Sequence, residues 1–186
     1  MYSTPDFRKG LRIELNNEPY IIVDFQHFKP GKGGAFVRTK LKNLLNGRVV
    51  DKTFRSGEKV GKPDIEEKEM QFLYKDDEYH FMDNANYEQI SLQAELIGNS
   101  KDFLQENTNV SILFYQNRPI NLELPIFVEL AVVEAEPGVK GDTASGASKP
   151  VTVETGAKIQ VPLFIEEGDR LKIDTRTGEY IERVKK

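Results

Sequence analysis

Apolar and polar residues alternate with period two through most of this chain, and that pattern constrains it to half-buried β-strands. In "AFVRTKLKNL" Val37, Thr39 and Leu41 share one face, while Arg38, Lys40 and Lys42 share the other, which Phe36 opens. "EPYIIVDF" reads as the partner strand across the turn "KPGKGG", and "LLNGRVV" with "VVDKTFRS" continues the meander. "EMQFLYKDDEYHFMD" reads as strand, turn and strand, "YEQISL" as a further strand, and "NVSILFYQNRPINLELP" as a pair around "QNRP". "FVELAVVEAEP", "KIQVPLFIEEGD", "RLKIDT" and "GEYIERV" repeat the recipe. "SKDFLQEN" is the best helix candidate, with Ser100 as N-cap. "GVKGDTASGASKPVTVETG" reads as a long loop, and no sequence repeat joins the thirds.

Several short strands per segment predict a mostly β protein of three small barrels. "GEKVGKPDIEE" and the region of Pro125 mark the boundaries, giving segments 1–63, 64–126 and 127–186. Five-stranded oligonucleotide-binding barrels suit two of them. Charge follows the same division. Residues 1–63 hold 13 Lys and Arg against 6 Asp and Glu, a net of +7, whereas residues 64–127 hold 4 against 13, a net of −9. A basic segment can approach a polyanion while an acidic neighbour limits indiscriminate binding; the plainer alternative is solvated surface that happens to segregate.

Cysteine is absent from the 186 residues, which excludes disulfides and thiolate metal sites and fits a reducing, cytoplasmic setting. No apolar run is long enough to span a bilayer, so no membrane partner is expected. His27 and His80 lie in different segments and make a poor metal set, and no cofactor is called for. "IEEKEM" and "KDDEY" alternate as solvated strand faces, and no nucleophile accompanies them. The residues offer no catalytic constellation, so the chain is not expected to be an enzyme.

One stretch still invites chemistry. "FKPGKGGAFVR" puts Lys32 among glycines, as phosphate-binding loops do. The P-loop spacing fails, because Gly33 follows the lysine and a strand, not a helix, comes next. Instead Lys29, Pro30, Gly31, Gly33 and Gly34 make a hairpin loop with one cation at its tip. Pro30 fixes one φ, and the glycines permit positive φ and close approach.

"FQHFKPGKGGAFVRTKLKN", "GDTASG" and "KPVTVETGAKIQVPLFIEEGD" together resemble bacterial elongation factor P, and the likeness runs from "DFRKGLRIE" to "GEYIERV". In the last stretch Lys149, Gly156, Ile159, Val161, Pro162, Ile165 and Gly168 fall at that family's C-terminal spacing. The eukaryotic hypusine-containing counterpart is a poorer match, since it lacks the final barrel. The resemblance implies a KOW or SH3-like barrel followed by two oligonucleotide-binding barrels, in an L-shaped outline similar to tRNA. It implies a monomer that binds both ribosomal subunits between the peptidyl and exit sites and relieves stalling at consecutive prolines. By the same resemblance Lys32 enters the peptidyl transferase centre beside peptidyl-tRNA. It carries a β-lysyl or aminopentanol extension added by a modifying enzyme, or none. Gly141, Asp142, Thr143, Ala144, Ser145 and Gly146 would approach mRNA at the exit-site codon. Arg38, Lys40 and Lys42 are candidates, on the strand reading, for contacts to the tRNA acceptor stem. An elongation-factor-P-like paralogue and a general RNA-binding protein built on the same barrels are the alternatives.

Overall fold

The protein is described by a computed structural model covering residues 1–138 and 146–185. In chain order its strands are β1 (Tyr2–Ser3), β2 (Arg12–Leu15), β3 (Glu18–Phe28), β4 (Phe36–Asn43), β5 (Val49–Arg55) and β6 (Lys59–Val60). They continue with β7 (Ile65–Lys75), β8 (Tyr79–Asp83), β9 (Gln89–Leu92), β10 (Asn109–Tyr115) and β11 (Arg118–Glu123). The last are β12 (Phe127–Ala135), β13 (Ser148–Val153), β14 (Lys158–Pro162), β15 (Arg170–Asp174) and β16 (Glu179–Val184). The fold is thus mostly β. Its sheets run β2-β3-β4-β5, β11-β10-β7-β8-β9 and β14-β13-β12-β15-β16, with a small β1-β6 pair. Two compact units contain them, one of residues 1–67 and 113–121, the other formed by the remainder.

Alternation places the first unit's core where the sequence puts it. Val37, Thr39, Leu41 and Asn43 of β4 are buried, and Arg38, Lys40 and Lys42 between them are exposed. Ile13, Ile22, Val37, Leu41 and Phe54 pack with Phe7, whose ring meets Phe54 edge-on at 5.2 Å. In the second unit Val128, Leu130 and Val132 of β12 meet Val151, Val153, Ile159, Leu171 and Ile173. Burying each such aliphatic side chain contributes roughly 1.5–3 kcal/mol.

Three hairpins close with one five-residue turn that the sequence does not advertise as a repeat. It occupies Asn43–Gly47, Asp83–Tyr87 and Asp174–Gly178, and the first residue of each is buried. That residue's side-chain oxygen accepts from the backbone N–H two places on, at Leu45 (2.8 Å), Ala85 (2.7 Å) and Arg176 (2.9 Å). Its carbonyl accepts from the fifth residue, at Gly47 (2.9 Å), Tyr87 (2.9 Å) and Gly178 (2.7 Å). The fourth residue then accepts from the sixth: Asn46 from Arg48, Asn86 from Glu88 and Thr177 from Glu179. Most backbone N–H groups of the turn are thereby satisfied, and the second residue of each donates to a neighbouring carbonyl, at Pro19, Glu69 and Ile126.

Two local expectations are corrected. "SKDFLQEN" is not a helix capped by Ser100. The helical residues lie earlier, in a short α-helix Ala94–Ile97 and a 3-10 turn Gly98–Phe103 that contains Ser100. The Thr155 hydroxyl donates to the Asp102 carbonyl, which a continuing helix would need for itself, and Leu104 is already extended. The long loop reading is too long as well, because Ser148–Val153 forms β13. There Lys149, Val151 and Val153 are buried, an alternation hidden by the surrounding Gly, Ser and Thr. The Lys149 ammonium is satisfied by donating to the Glu136 carbonyl at 2.7 Å.

Candidate functional site

The hairpin of β3 and β4 carries Lys32 on the loop Lys29–Ala35. Val37, Thr39, Leu41 and Asn43 are buried along β4, whereas no residue of β3 beyond Ile22 is buried; β5 supports β4 to its start, pairing Phe36 with Arg55. Ser56 N–H donates to the Ala35 carbonyl at 2.9 Å, the last backbone bond before the loop. Residues 29–34 make no hydrogen bond among the described residues, and Lys32 is exposed. With three residues from either strand end, the tip can stand about 10 Å beyond the sheet.

Gly33 alone of the three loop glycines needs its conformational freedom, at φ +105°. Gly31 and Gly34 do not take positive φ, which corrects the broader expectation. A Cβ on any of the three would meet nothing within 4 Å, so their smallness leaves the space around Lys32 open.

The loop's base is clasped by rings that sequence reading passed over. Phe28 and Phe36 are direct cross-strand partners, stacked with centroids 5.1 Å apart and planes 16° from parallel. The Arg38 guanidinium lies over both, 4.9 Å from the Phe28 centroid and 5.6 Å from that of Phe36. Such contacts contribute about 0.5–1.5 kcal/mol each and hold the strand ends together. The seven-residue loop between these strands places residue 28 opposite residue 36, a register that the sequence reading, with its strands ending at Phe25 and opening at Ala35, did not fix.

The cationic face is less uniform than its sequence. A bulge at Val23 sets Lys40 opposite Asp24 on β3, and β5 sets Asp51 opposite its other side. Asp24 also pairs with Lys9 at 3.1 Å. The Lys9 hydrogen bond and charge hold its carboxyl below the ordinary range, helped by the Phe25 N–H and by Lys40. Lys42 instead lies between Ile21 and Val49 and has no ion-pair partner among the described residues. Of the candidate loop Gly141–Gly146, all but Gly146 lie outside the described residues; Gly146 itself is exposed with φ +100°.

The histidines serve the fold. His80 shares a hydrogen bond of 2.7 Å with Asp76 and stacks on Tyr74 at 4.3 Å, while His27 meets the Phe25 ring edge-on at 5.6 Å. Asp76 is held below the usual carboxylate range by the Glu78 N–H first and by His80 second. No group of three or more His, Cys, Asp or Glu among the described residues could hold a metal ion. No helix among them is long and apolar enough to cross a membrane.

Comparison with known proteins places this mostly β chain with its lysine-tipped hairpin in the class of translation factors. Residues 3–60 match the elongation factor P KOW-like domain, 65–122 the elongation factor P OB domain, and 128–183 the elongation factor P C-terminal domain. Elongation factor P of Nitratidesulfovibrio vulgaris is 57% identical over 184 residues, 98% of this chain and 100% of that one. Elongation factor P of Natranaerobius thermophilus is 56% identical over 186 residues, 100% of this chain and 99% of that one. The chain belongs to the elongation factor P family. In fold alone it is similar to a translation initiation factor 5A from Methanococcus jannaschii. That match has a TM-score of 0.53 at 23% identity, covering 63% of this chain and 88% of that one.

Proposed function

We propose that this translation elongation factor binds the ribosome between the peptidyl and exit sites and speeds peptide-bond formation at consecutive prolines. The observation that carries this reading is the Lys32 loop, open and without hydrogen bonds from residue 29 to 34, on a base fixed by β5 and the Phe28–Phe36 stack. A cation held out in this way can bind phosphate and ribose oxygens of the peptidyl-tRNA end, leaving the ribosome to do the chemistry. Its contribution is positional. Fixing a reactant's geometry removes an entropic barrier without any acid, base or nucleophile from the factor. An extension on Lys32, attached by a modifying enzyme, would lengthen the reach without moving the sheet.

Three modules at 1–63, 64–126 and 127–186 are supported by the three matched segments. On the arm's outer face Lys42 is the strongest candidate for the acceptor stem. Lys40 is flanked by two carboxylates, and Arg38 is engaged by two rings. By family resemblance Gly141–Gly146 approaches the exit-site codon of the mRNA. The test is translation of a reporter with three consecutive prolines in a purified system lacking the factor, with intact masses recorded. Full-length product with the native protein and stalling with Lys32→Ala is the expected result, and any excess mass identifies the extension. Equal rescue by both removes Lys32 from the mechanism. Absence of rescue by native, modified protein favours a general RNA-binding role.

A further inference from the structure

The three equivalent turns differ at their fifth position. Gly47 and Gly178 sit there at φ +73° and +75°, in the left-handed region that a side chain resists; Tyr87 sits there at φ +63°. Six non-glycine residues among those described enter that region, and they are four Asn, one Gln and Tyr87. Asparagine is tolerated because its short amide can bond the local backbone; a phenol ring gains nothing of that kind. Nor does packing compensate. Tyr87 is 72% exposed, and its ring makes no hydrogen bond or ring contact among the described residues. A side chain that strains its backbone and fills no core points to something outside the fold.

We infer that Tyr87 anchors a docking site for a basic protein surface, an inference that rests on ribosome binding as proposed above. The ring's surroundings choose the partner. Glu88 follows it and is exposed, and the turn is tied by the Asn84 N–H, which donates to the backbone carbonyl of Glu69 at 3.2 Å, Glu69 being itself exposed. Asn84, Asn86 and Asn109 are exposed beside them, with Asn84 donating to Asn109 at 3.2 Å. The turn itself carries no cation, and residues 64–127 hold 13 carboxylates against 4 basic side chains. A nucleic-acid backbone is repelled by such a surface. An Arg or Lys side chain is attracted, lying over the phenol ring with its charge toward the carboxylates and its remaining donors toward the amides.

The experiment uses the full-length factor and ribosomes as the probe, comparing wild type with Tyr87→Gly and Tyr87→Phe. A photo-crosslinking benzoylphenylalanine is placed at position 87 in a parallel sample. Tyr87→Gly relieves the strain, so its Tm rises by about 2 °C or more while its ribosome affinity falls about tenfold. Tyr87→Phe keeps the affinity, and the crosslink falls on a basic ribosomal protein. Unchanged affinity of Tyr87→Gly, a lowered Tm, or a crosslink to RNA overturns the inference while leaving the Lys32 reading standing. Failure of the wild type itself to bind ribosomes overturns both.

Discussion

Two kinds of hairpin end coexist in this protein, and their difference separates structure from function. The turn Asn43–Gly47 consumes its own polar groups. Asn43 is 3% exposed, takes the N–H of Leu45 and of Asn46, and donates to Glu18 at 2.8 Å. At the other end of the same strand, residues 29–34 consume none of theirs. The first closes a sheet and needs nothing further. The second leaves a lysine and a run of backbone groups unbonded among the described residues, above a base stiffened by Phe28, Phe36 and Arg38, as the proposed role requires.

Substitutions at the two ends should expose the contrast. Asn43→Ala strands the Leu45 and Asn46 N–H groups in a half-buried place and leaves the Glu18 carboxylate with Tyr20 alone, and should lower the unfolding free energy by about 2–3 kcal/mol in urea titrations. A loss near zero would mean the turn does not depend on its buried amide. Gly47→Ala forces a Cβ into a turn held at φ +73° and should cost about 1–2 kcal/mol. The same change at Gly33, φ +105°, falls in an unbonded loop that can relax, and should cost no more than about 0.5 kcal/mol. Equal losses at Gly33 and Gly47 would erase the distinction between the two ends.

The third copy of the turn adds a pH dependence. The Arg176 guanidinium, 2.8 Å from Asp174, holds that carboxyl below its ordinary value of 3.8, and the Arg176 N–H acts the same way. A depressed folded-state value means that the carboxylate stabilises the fold above pH 3.8 and that this support is lost as pH falls through the lower value. Asp174→Asn should therefore be less stable than wild type at neutral pH, and the gap should close on acidification. A gap independent of pH would assign the effect to the turn's hydrogen bonds alone.

Much of this was legible because residues 36–42 alternate without interruption, so one strand reveals its buried and cationic faces directly. The neighbours of those cations were not legible. Asp24 reaches Lys40 only through the bulge at Val23, and Phe28 meets Phe36 only once the loop length fixes the register. Ser100 resembles a cap, yet Phe103 packs on the core of β12–β16 while Leu104 is buried, and the chain turns to serve both. Tyr87 looks like an ordinary strand-flanking aromatic until its φ is known. Local pattern specified faces; cross-strand geometry decided what each face could do.

The most direct measurement is the rate of peptide-bond formation on ribosomes stalled at consecutive prolines, followed as factor concentration is raised to saturation. The account predicts that Lys32→Ala lowers the maximal rate at least tenfold while leaving the half-saturating concentration within about threefold of wild type, because a positioning tip acts on the reaction and not on docking. A wild-type maximal rate from Lys32→Ala, with only a higher concentration needed to reach it, would contradict the account and make the arm a binding element.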